Sequence, residues 1–354
     1  MRKPCLPAKT RFFIIERMDF THVTLGPDDE GRRIDKVLRR FLSEESLSSL
    51  YKSLRKGLIK IDGKKCEGSF RVHEGSEIQI ASFLIKTESD STKPAKHIPA
   101  LDESSLIFKN DFLAFINKPY DIPVQPSSHS SISLTEIVQN DYERTHTESR
   151  SLSFRTGALH RLDRKTTGII AFSQNLTGAQ WFSAQIQAHE LEKNYLAVIE
   201  GHLGTAEEWA DDIAKDTRQN GTVFHTVSVN SPGGKRSLST AIPLAYGAVS
   251  ERGAHLPLTL ARFSIKTGRT HQIRSQSAHH GYPLFGDTAY GGTKIAGAHA
   301  RQDFFLHAYE LRFPCDNPLS LPESLLAPLP RPFVQFVEEY FSKTLINCES
   351  LLII

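Results

Sequence analysis

The sequence is poor in cysteine, and its few cysteines are not paired as metal ligands are. Four cysteines stand far apart without C-x-x-C spacing, at Cys5, Cys66, Cys315 and Cys348. This argues against a disulfide scaffold and against a cysteine-type zinc site. The sequence also lacks any uncharged apolar run of about 18 residues, the length that a membrane helix needs. Residues 12–15 are too short for a signal-peptide core of about 7–15 residues, so we expect a cytoplasmic protein without membrane contacts.

The motifs of several common enzyme classes are missing as well. There is no phosphate-binding G-x-x-x-x-G-K-[ST], no H-E-x-x-H and no G-x-S-x-G. Their absence disfavours a phosphate-loop nucleotide enzyme, a zinc hydrolase of that type and a serine hydrolase with a nucleophile elbow. The pair His279-His280 precedes Gly281, an order more typical of a helix end than of a metal site. We therefore predict no metal and no cofactor.

Charge is distributed unevenly along the chain. The 354 residues carry a net charge of +3, with 39% hydrophobic and 23% charged residues, which is enough for a folded core. The length suggests two or three domains. From Arg32 to Arg71, twelve Lys or Arg oppose five Asp or Glu, a local net charge of +7. Such a segment is typical of a module that binds a polyanion, although a solvated charged face is the alternative.

The basic segment has the pattern of a small domain at residues 19–82, after an extension at residues 1–18. Only Met1 and Met18 are methionines, so either is a possible start. A second helix runs from residue 47 to 54 and ends at Gly57, and a strand and a tight turn at Asp62-Gly63 follow. The apolar stripe of the first helix consists of Ile34, Val37, Leu38, Phe41 and Leu42.

This pattern resembles the S4-type RNA-binding domain. The resemblance is carried by R-x-D-K-x-L from Arg33 to Leu38 and by K-G-x-I-x-x-D-G-K from Lys56 to Lys64. It implies a small α/β module whose basic side chains contact RNA. The candidate contacts are Arg33, Lys36, Arg39, Arg40, Lys52, Arg55, Lys56 and Lys64.

The rest of the chain has the pattern of a larger, β-rich domain at residues 99–354. Residues 83–98, rich in Lys, Ser, Thr and Glu, have the composition of a linker. Two apolar segments at residues 106–108 and 112–116 predict paired strands. Residues 126–152 contain many Ser, Thr and Glu, which predicts a surface excursion.

One carboxylate in this domain stands among cations. Asp163 is flanked by Arg161, Arg164 and Lys165 and precedes an apolar strand at residues 169–172. Nearby cations stabilise an ionised carboxylate, which suits a nucleophile or a general base. A structural aspartate satisfied by turn amides is the alternative.

A strand at residues 192–199 carries Tyr195 among aliphatic side chains. Its ring offers a stacking face and its hydroxyl a polar tip, although a core tyrosine is the alternative. Further along, a strand turns through Gly268 into a helix for which Thr270 is the expected N-cap. Arg269 and Arg274 near this helix start are suited to a phosphate or a carboxylate.

Together these segments resemble the catalytic domain of RluA-type pseudouridine synthases. The motif H-R-L-D-x-x-T-[ST]-G is complete from His160 to Gly168, and T-G-R-T-H-Q-[IL]-R is complete from Thr267 to Arg274. K-x-Y-x-A-x-V is present at residues 193–199 with Ile199 in place of Val, and G-D-x-x-Y-G follows at residues 286–291. The resemblance extends from about residue 106 to 313.

The sequence departs from the family's pattern beside a shared Asn117-Lys118-Pro119. Asp121 stands where the family usually has Gly, and Gln125 where it usually has His. We expect these changes to affect contacts at the rim of the site and the choice of substrate, not the chemistry.

The resemblance implies an α+β fold, with a long, mainly antiparallel sheet and peripheral helices next to the S4-like module. It also implies isomerisation of a flipped-out uridine to pseudouridine, with Asp163 as the catalytic carboxylate, Arg274 as its salt-bridge partner and Tyr195 stacked on the base. Whether Asp163 attacks the sugar or removes a sugar proton stays open. The implied substrate-binding residues are Arg161, His160, Thr167, Arg269, Thr270 and Ile273.

The implied partner is structured RNA, most closely 23S ribosomal RNA or a ribosome-assembly intermediate, bound by a monomer. The run from Leu47 to Gly57 looks most like the RluC subgroup. Two other hypotheses remain. One is a catalytically silent RNA-binding or ribosome-assembly protein that retains the synthase fold. The other is a hydrolase that uses Asp163 with His160.

Overall fold

The computed structural model describes residues 19–42, 45–85, 97–126, 132–145, 151–215, 227–231, 233–251 and 254–341. The predicted extension and most of the predicted linker lie outside these ranges. The described residues form two compact units. One contains the residues up to 85 together with residues 151–154, and the other contains the remainder. Within the described ranges, no helix is both long and apolar enough to cross a membrane.

The first unit is a three-stranded antiparallel sheet with two helices. Strand β3 lies between β1 and β2. The elements are β1 (Phe20–Thr24), α1 (Ile34–Phe41), α2 (Leu47–Lys56), β2 (Ile59–Ile61) and β3 (Glu77–Ala81). Gly57 ends α2 with a left-handed φ of 72°, and Ser46 caps its start by accepting the Ser49 N–H. Both helices and the turn at Asp62-Gly63 are therefore as predicted, whereas β1 was not predicted.

A segment distant in sequence completes this unit. The carboxylate of Asp29 is fully buried. It accepts the Ser151 hydroxyl at 2.8 Å, the Leu152 N–H at 3.0 Å and the Ser153 hydroxyl. Leu152 also packs against the unit's apolar core. A buried carboxylate needs such donors, so residues 151–154 are part of what holds this unit together.

The second unit is built on a ten-stranded sheet. Its main path is β4-β5-β6-β12-β7-β11-β10-β8-β9, and β13 pairs with β12. The strands are β4 (Leu106–Lys109), β5 (Leu113–Lys118), β6 (Thr167–Ser173), β7 (Glu192–Glu200), β8 (Glu207–Lys215), β9 (Val227–Val229), β10 (Lys235–Glu251), β11 (Ala254–Ile265), β12 (Leu306–Arg312) and β13 (Ser324–Leu326). The helices are α3 (Leu134–Thr145), α4 (Leu176–Ala188), α5 (Gln272–His279) and α6 (Arg331–Tyr340).

All pairs of neighbouring strands in this sheet are antiparallel except β6 and β12, which are parallel. This confirms the predicted mainly antiparallel sheet. Strand β7 is covered on both faces, because its alternate side chains enter two different cores. Tyr195 and Ala197 belong to one apolar cluster, whereas Leu196 and Val198 belong to the other. Burial on both faces explains why this strand is a nearly continuous apolar run rather than an alternating one.

The expectation of a surface excursion at residues 126–152 was wrong, because α3 occupies its middle. Leu134, Ile137 and Val138 of this helix are buried. Ser133 and Glu136 form a reciprocal cap: the Glu136 carboxylate accepts the Ser133 N–H at 2.8 Å, and the Ser133 hydroxyl accepts the Glu136 N–H at 3.3 Å. The S-x-x-E spacing is the sequence signal for this helix start.

Candidate active site

The second unit contains a cleft of about 710 Å³. Segments far apart in sequence line it, among them residues 123–126, the loop before β6, the start of α5, the turn that follows α5 and residues 303–304. The sequence-predicted residues on this cleft are Arg161, Asp163, Thr270 and Arg274. A smaller pocket of about 50 Å³ shares three of these residues, Arg161, Asp163 and Arg274, and adds Tyr195, Arg269 and Ile273. The fold therefore brings seven of the nine predicted site residues to two pockets that share part of their lining, and the two exceptions are His160 and Thr167.

The loop that carries Asp163 is fixed by the strand that follows it. Thr166 donates its N–H to the Asp163 carbonyl at 3.1 Å, which closes a turn. Gly168 then enters β6 with a φ of 109°, and a Cβ there would lie 2.2 Å from the carbonyl oxygen of Ala308 on the neighbouring β12. Only glycine fits this close approach of two backbones. The loop and its carboxylate are thereby held at the end of a buried strand.

Two side chains of the α5 region face the Asp163 carboxylate. Arg274 Nη1 lies 3.5 Å from Oδ2, and His271 Nε2 lies 3.7 Å from Oδ1. The Asp163 side chain is 17% exposed, so the carboxylate is open to the cleft but largely shielded from water. The predicted proximity of Arg274 is present, but the contact is long for a charge-assisted hydrogen bond.

Arg274 is bound much more closely by Asp287. Its Nε lies 2.6 Å from Oδ2 of Asp287 and its Nη2 lies 2.8 Å from Oδ1, a bidentate pair. The guanidinium also lies over the rings of Tyr290 and Phe304, 5.0 and 4.6 Å from their centres. Burial lowers the pKa of Arg274, but the hydrogen bonds and charge of Asp287 and the charge of Asp163 outweigh it and raise the pKa. The cation is thus fixed in place, with one edge left for Asp163.

The predicted N-cap Thr270 was wrong, because α5 begins one residue later. His271 is the N-cap residue, with a left-handed φ of 52° and no side-chain capping bond. The Gln272 side chain instead stabilises the turn before α5. Its Oε1 accepts hydrogen bonds from the Thr267 hydroxyl at 2.8 Å and from the Arg269 N–H at 3.0 Å. Thr270 is left on the wall of the cleft.

His271 and Asp287 are site residues that the sequence analysis did not single out. The only signals for them were their places inside two matched motifs. The ring Nδ1 of His271 lies 2.8 Å from the hydroxyl of Tyr290. Burial lowers the pKa of His271, and Asp163 opposes this shift while Arg274 adds to it. A neutral ring that accepts the Tyr290 hydroxyl at Nδ1 presents an N–H at Nε2 to Asp163.

Tyr195 lies in the middle of β7, where Phe263 of β11 is its partner across the sheet. It is only 8% exposed, and it lines the smaller pocket beside Asp163. Burial raises the pKa of Tyr195, and the charge of Asp163 raises it further. The side chain is therefore a protonated phenol at neutral pH, with its position set by the sheet.

His160 and Thr167 belong to the same motif as Asp163 but are not among the residues that line the cleft. His160 accepts the Ala171 N–H at 3.0 Å and stacks on Phe182. Burial lowers its pKa to about 3, so the ring is neutral. Thr167 is buried against His307, with 2.8 Å between its hydroxyl and Nδ1. Both side chains support β6 rather than face the cleft.

A buried lysine at the end of β5 holds the loop that carries Asp163. Lys118 is fully buried at the end of β5. Its Nζ donates to the carbonyls of Pro119, Ile122 and Arg164, each at 2.9 Å. Burial lowers the pKa of Lys118 to about 7, against the charges of Asp163 and Asp121. All three donors of the ammonium are used, which ties the turn at residues 119–122 to the residue after Asp163.

The predicted RNA contacts of the first unit are surface residues. Arg33 is committed to Asp35, 2.6 Å away, and Asp35 in turn accepts the Tyr51 hydroxyl. The side chain of Arg40 lies outside the description. The other six are exposed, and none has an ion pair among the described residues: Lys36, Arg39, Lys52, Arg55, Lys56 and Lys64.

Within the described ranges, no group of three or more His, Cys, Asp or Glu side chains is arranged to hold a metal ion. The polar side chains that line the smaller pocket include one carboxylate, Asp163, the fixed guanidinium of Arg274 and the buried phenol of Tyr195. Arg161 and Arg269, which are exposed, line the same pocket.

Comparison with known proteins gives two family matches. A model described as RNA pseudouridylate synthase matches residues 112–279, and one described as S4 domain matches residues 32–78. The ribosomal large subunit pseudouridine synthase C of Salmonella typhi is 28% identical over 302 residues, which cover 82% of this chain and 88% of that protein. The protein of the same name from Escherichia coli (strain K12) has the same identity and the same coverage.

Among solved structures, human RNA pseudouridylate synthase domain containing 4 has a TM-score of 0.51 with 19% sequence identity. The match covers 66% of this chain and 92% of that chain. At this identity, the likeness bears on the fold alone.

Proposed function

Since this chain belongs to the RNA pseudouridylate synthase family and carries an S4 domain, we propose that it isomerises specific uridines of large-subunit ribosomal RNA to pseudouridine. The observation that carries this proposal is the meeting of Asp163, Tyr195 and Arg274 at one pocket. Three motifs separated by up to 111 residues supply them. The target follows from the names of the two relatives, which both act on the large ribosomal subunit.

The reaction breaks the bond between C1′ of the ribose and N1 of uracil and forms a bond between C1′ and C5. The proton on C5 is lost and N1 gains one, so no oxidant, reductant or energy source is consumed. Asp163 is the proposed catalytic carboxylate, because it is the acceptor that the pocket exposes. Attack on C1′ and removal of the neighbouring sugar proton are both compatible with a carboxylate in this place.

Arg274 and His271 then have electrostatic and positioning roles. With the guanidinium held by Asp287, its remaining edge is aimed at Asp163 and needs no rearrangement during the reaction. The N–H of a neutral His271 faces the other carboxylate oxygen, at 3.7 Å. Both donors favour the ionised, correctly rotated carboxylate.

Tyr195 is the proposed platform for the uracil ring and a candidate for moving the C5 proton. A protonated phenol donates rather than accepts a proton, so it would act as a base only if a neighbour took its own proton first. Arg161, which is exposed and lines both pockets, is the residue that we propose to occupy the gap left by a flipped base. Flipping is required because the glycosidic bond is inaccessible inside a duplex.

The first unit would add affinity through phosphate contacts from the six predicted basic side chains that are exposed and have no ion pair among the described residues. We assign RNA binding to it and chemistry to the second unit, with their division near residues 83–98. The proposed partner, ribosomal RNA, agrees with a cytoplasmic location, and the proposed catalytic pocket is lined by Asp163, Tyr195 and Arg274 of one chain, as a monomer requires.

Pseudouridine mapping of total RNA from cells with and without the gene tests the proposal directly. We expect one or a few large-subunit positions to lose the modification in the deletion strain and to regain it with the wild-type gene. A catalytically silent assembly protein would leave the map unchanged. The intact set of Asp163, Tyr195 and Arg274 favours the enzyme over that alternative.

A further inference from the structure

A closed network of opposite charges stands on the rim of the cleft, beside the catalytic loop. Lys165 Nζ lies 2.9 Å from Oδ1 of Asp121 and 2.7 Å from Oδ2 of Asp303. Arg164 Nε lies 2.8 Å from the same Oδ1 of Asp121. The Tyr120 hydroxyl donates to Asp303 at 2.7 Å and accepts the Asp303 N–H at 2.8 Å. Two carboxylates therefore hold the two cations that directly follow Asp163 in the sequence.

Asp121 is presented to these cations by a turn that cannot easily shift. Its φ is 64°, in the left-handed region that non-glycine residues seldom adopt, although Asp tolerates it better than most. Lys118 holds the carbonyls on both sides of this residue, those of Pro119 and Ile122. A backbone kept in this conformation by a buried anchor is over-determined, a condition typical of functional positions.

The cations of the cleft differ in whether a carboxylate of this network already pairs with them. Arg164, Lys165 and Asp303 line the cleft, as does Arg161, which is also exposed. Lys165 has both carboxylates within hydrogen-bond distance, and its Nζ lies 5.1 Å from the centre of the Tyr120 ring. A phosphate that approached Lys165 would have to displace two carboxylates and would be repelled by both. By contrast, no ion pair holds Arg161 or Arg269 among the described residues.

We propose that Asp121 and Asp303 are specificity-determining residues, which withhold Arg164 and Lys165 from RNA phosphates and so prevent non-substrate RNA from lodging at this side of the cleft. The proposal rests on the proposed function, in that the cleft receives RNA. Discrimination by a repulsive element is a general way to reject wrong partners, and it costs little when the acids are already paired in the free protein. It predicts that removing the two acids tightens RNA binding instead of weakening it.

The test is the affinity of the full-length protein for a single-stranded oligocytidine, which lacks uridine, measured against salt concentration. The variant Asp121→Asn/Asp303→Asn keeps side-chain shape and frees two cations. Each phosphate newly neutralised on a single strand adds about 0.7 to the log–log salt slope, so we expect a slope steeper by about 1.4. At about 0.1 M salt the dissociation constant should fall by at least about fivefold.

Two further variants separate this mechanism from a general change in net charge. Glu208→Gln/Glu338→Gln removes two exposed acids that do not line the cleft, and its slope should match that of the wild type. In a background of Arg164→Gln/Lys165→Gln, the two Asp→Asn changes should no longer steepen the slope. If the Asp121→Asn variant unfolds at a lower temperature than the wild type, Asp121→Gly is used in its place, because glycine fits the positive φ.

An unchanged slope, weaker binding, or equal steepening in the Glu208/Glu338 control or in the Arg164/Lys165 background would each overturn the proposal. The same samples are assayed for turnover of ribosomal RNA. Wild-type protein without turnover contradicts the proposed function, whereas turnover with an unchanged slope contradicts only the role of the two acids. With both ideas correct, oligocytidine inhibits the double Asn variant at least about fivefold more strongly than it inhibits the wild type, each compared with its own uninhibited rate.

Discussion

Arg274 lies between two carboxylates and is bound unequally by them. Asp287 holds it through two hydrogen bonds of 2.6 and 2.8 Å, whereas its contact with Asp163 is 3.5 Å. Asp287 is buried, so this pair fixes the guanidinium independently of Asp163, the proposed catalytic carboxylate. Asp163 therefore gains a neighbouring positive charge without being locked by it, which leaves its oxygens free for a substrate.

Asp163→Asn should abolish isomerisation and leave RNA binding nearly intact. The substitution keeps the volume of the side chain but removes the charge that either first step requires. Loss of a positioned acid–base or nucleophilic group costs about 100-fold or more in rate. Release of tritium from RNA labelled at uracil C5 measures turnover, and filter binding measures affinity. Activity within tenfold of wild type would contradict the assignment of Asp163.

Tyr195→Phe should retain base stacking and lose any proton transfer by the phenol. The expected result is unchanged affinity for substrate RNA, with slower turnover or a stalled RNA–protein adduct visible on a denaturing gel. Because burial raises the pKa of Tyr195, the wild-type rate should show no step from its ionisation between about pH 7 and 9. If the variant turns over at the wild-type rate, Tyr195 is a stacking platform only.

Breaking the buried pair of Arg274 and Asp287 should be costly, and replacing both residues should cost less than the two changes added together. Arg274→Met or Asp287→Leu each leaves one buried charge without its partner, at about 3–5 kcal/mol of unfolding free energy. In the double variant neither charge is left. Urea denaturation of the wild type, the two single variants and the double variant gives the coupling free energy between Arg274 and Asp287. Strictly additive losses would show that the pair is not what holds Arg274.

Substitution of basic residues in the first unit should reduce affinity without changing chemistry. Deleting the unit is the poorer experiment, because residues 151–154 pack on it through Asp29. In Lys52→Gln/Arg55→Gln/Lys56→Gln, loss of three phosphate contacts should flatten the salt slope for RNA by about 2. Turnover at saturating RNA should remain. A wild-type slope would mean that the basic face of α2 does not touch RNA.

Buried His307 and partly buried His160 should make the second unit sensitive to acid. Burial lowers the pKa of His160 to about 3 and that of His307 to about 4, although the Ala327 carbonyl opposes the shift of His307. Both folded values lie below the unfolded value of about 6.5, so the unfolded chain binds more protons between them. Stability is therefore fully present above about pH 6.5 and is lost as the pH falls toward 4.

Each histidine should contribute a slope of about 1.4 kcal/mol per pH unit in this window. The unfolding free energy of His307→Asn should therefore fall less steeply with decreasing pH than that of the wild type. The difference in slope should correspond to about one proton, measured by urea denaturation between pH 4.5 and 6.5. An identical slope in the two proteins would mean that His307 is protonated in the folded state.

Much of the fold and of the site was predictable because its signals are local. The spacing of apolar residues in α1 and α2 and the glycine that ends α2 depend only on helix geometry. The strand that holds Tyr195 is recognisable as an apolar run. The S-x-x-E cap at Ser133 and Glu136 predicts the start of α3. The many Ser, Thr and Glu residues around it favoured a surface loop instead.

The sequence by itself determined which residues are the candidates for the chemistry, because the motifs around Asp163, Tyr195 and Arg274 consist of residue types at fixed local spacings. Only the tertiary structure decided which charges meet. Arg274 bonds to Asp287, and Thr167 bonds to His307. His160 bonds to the backbone of β6, and Lys165 pairs with both Asp121 and Asp303. Each of these contacts joins separate segments of the chain. Such contacts depend on strand order and register across the sheet, which local spacing does not encode because it fixes only neighbours within one element.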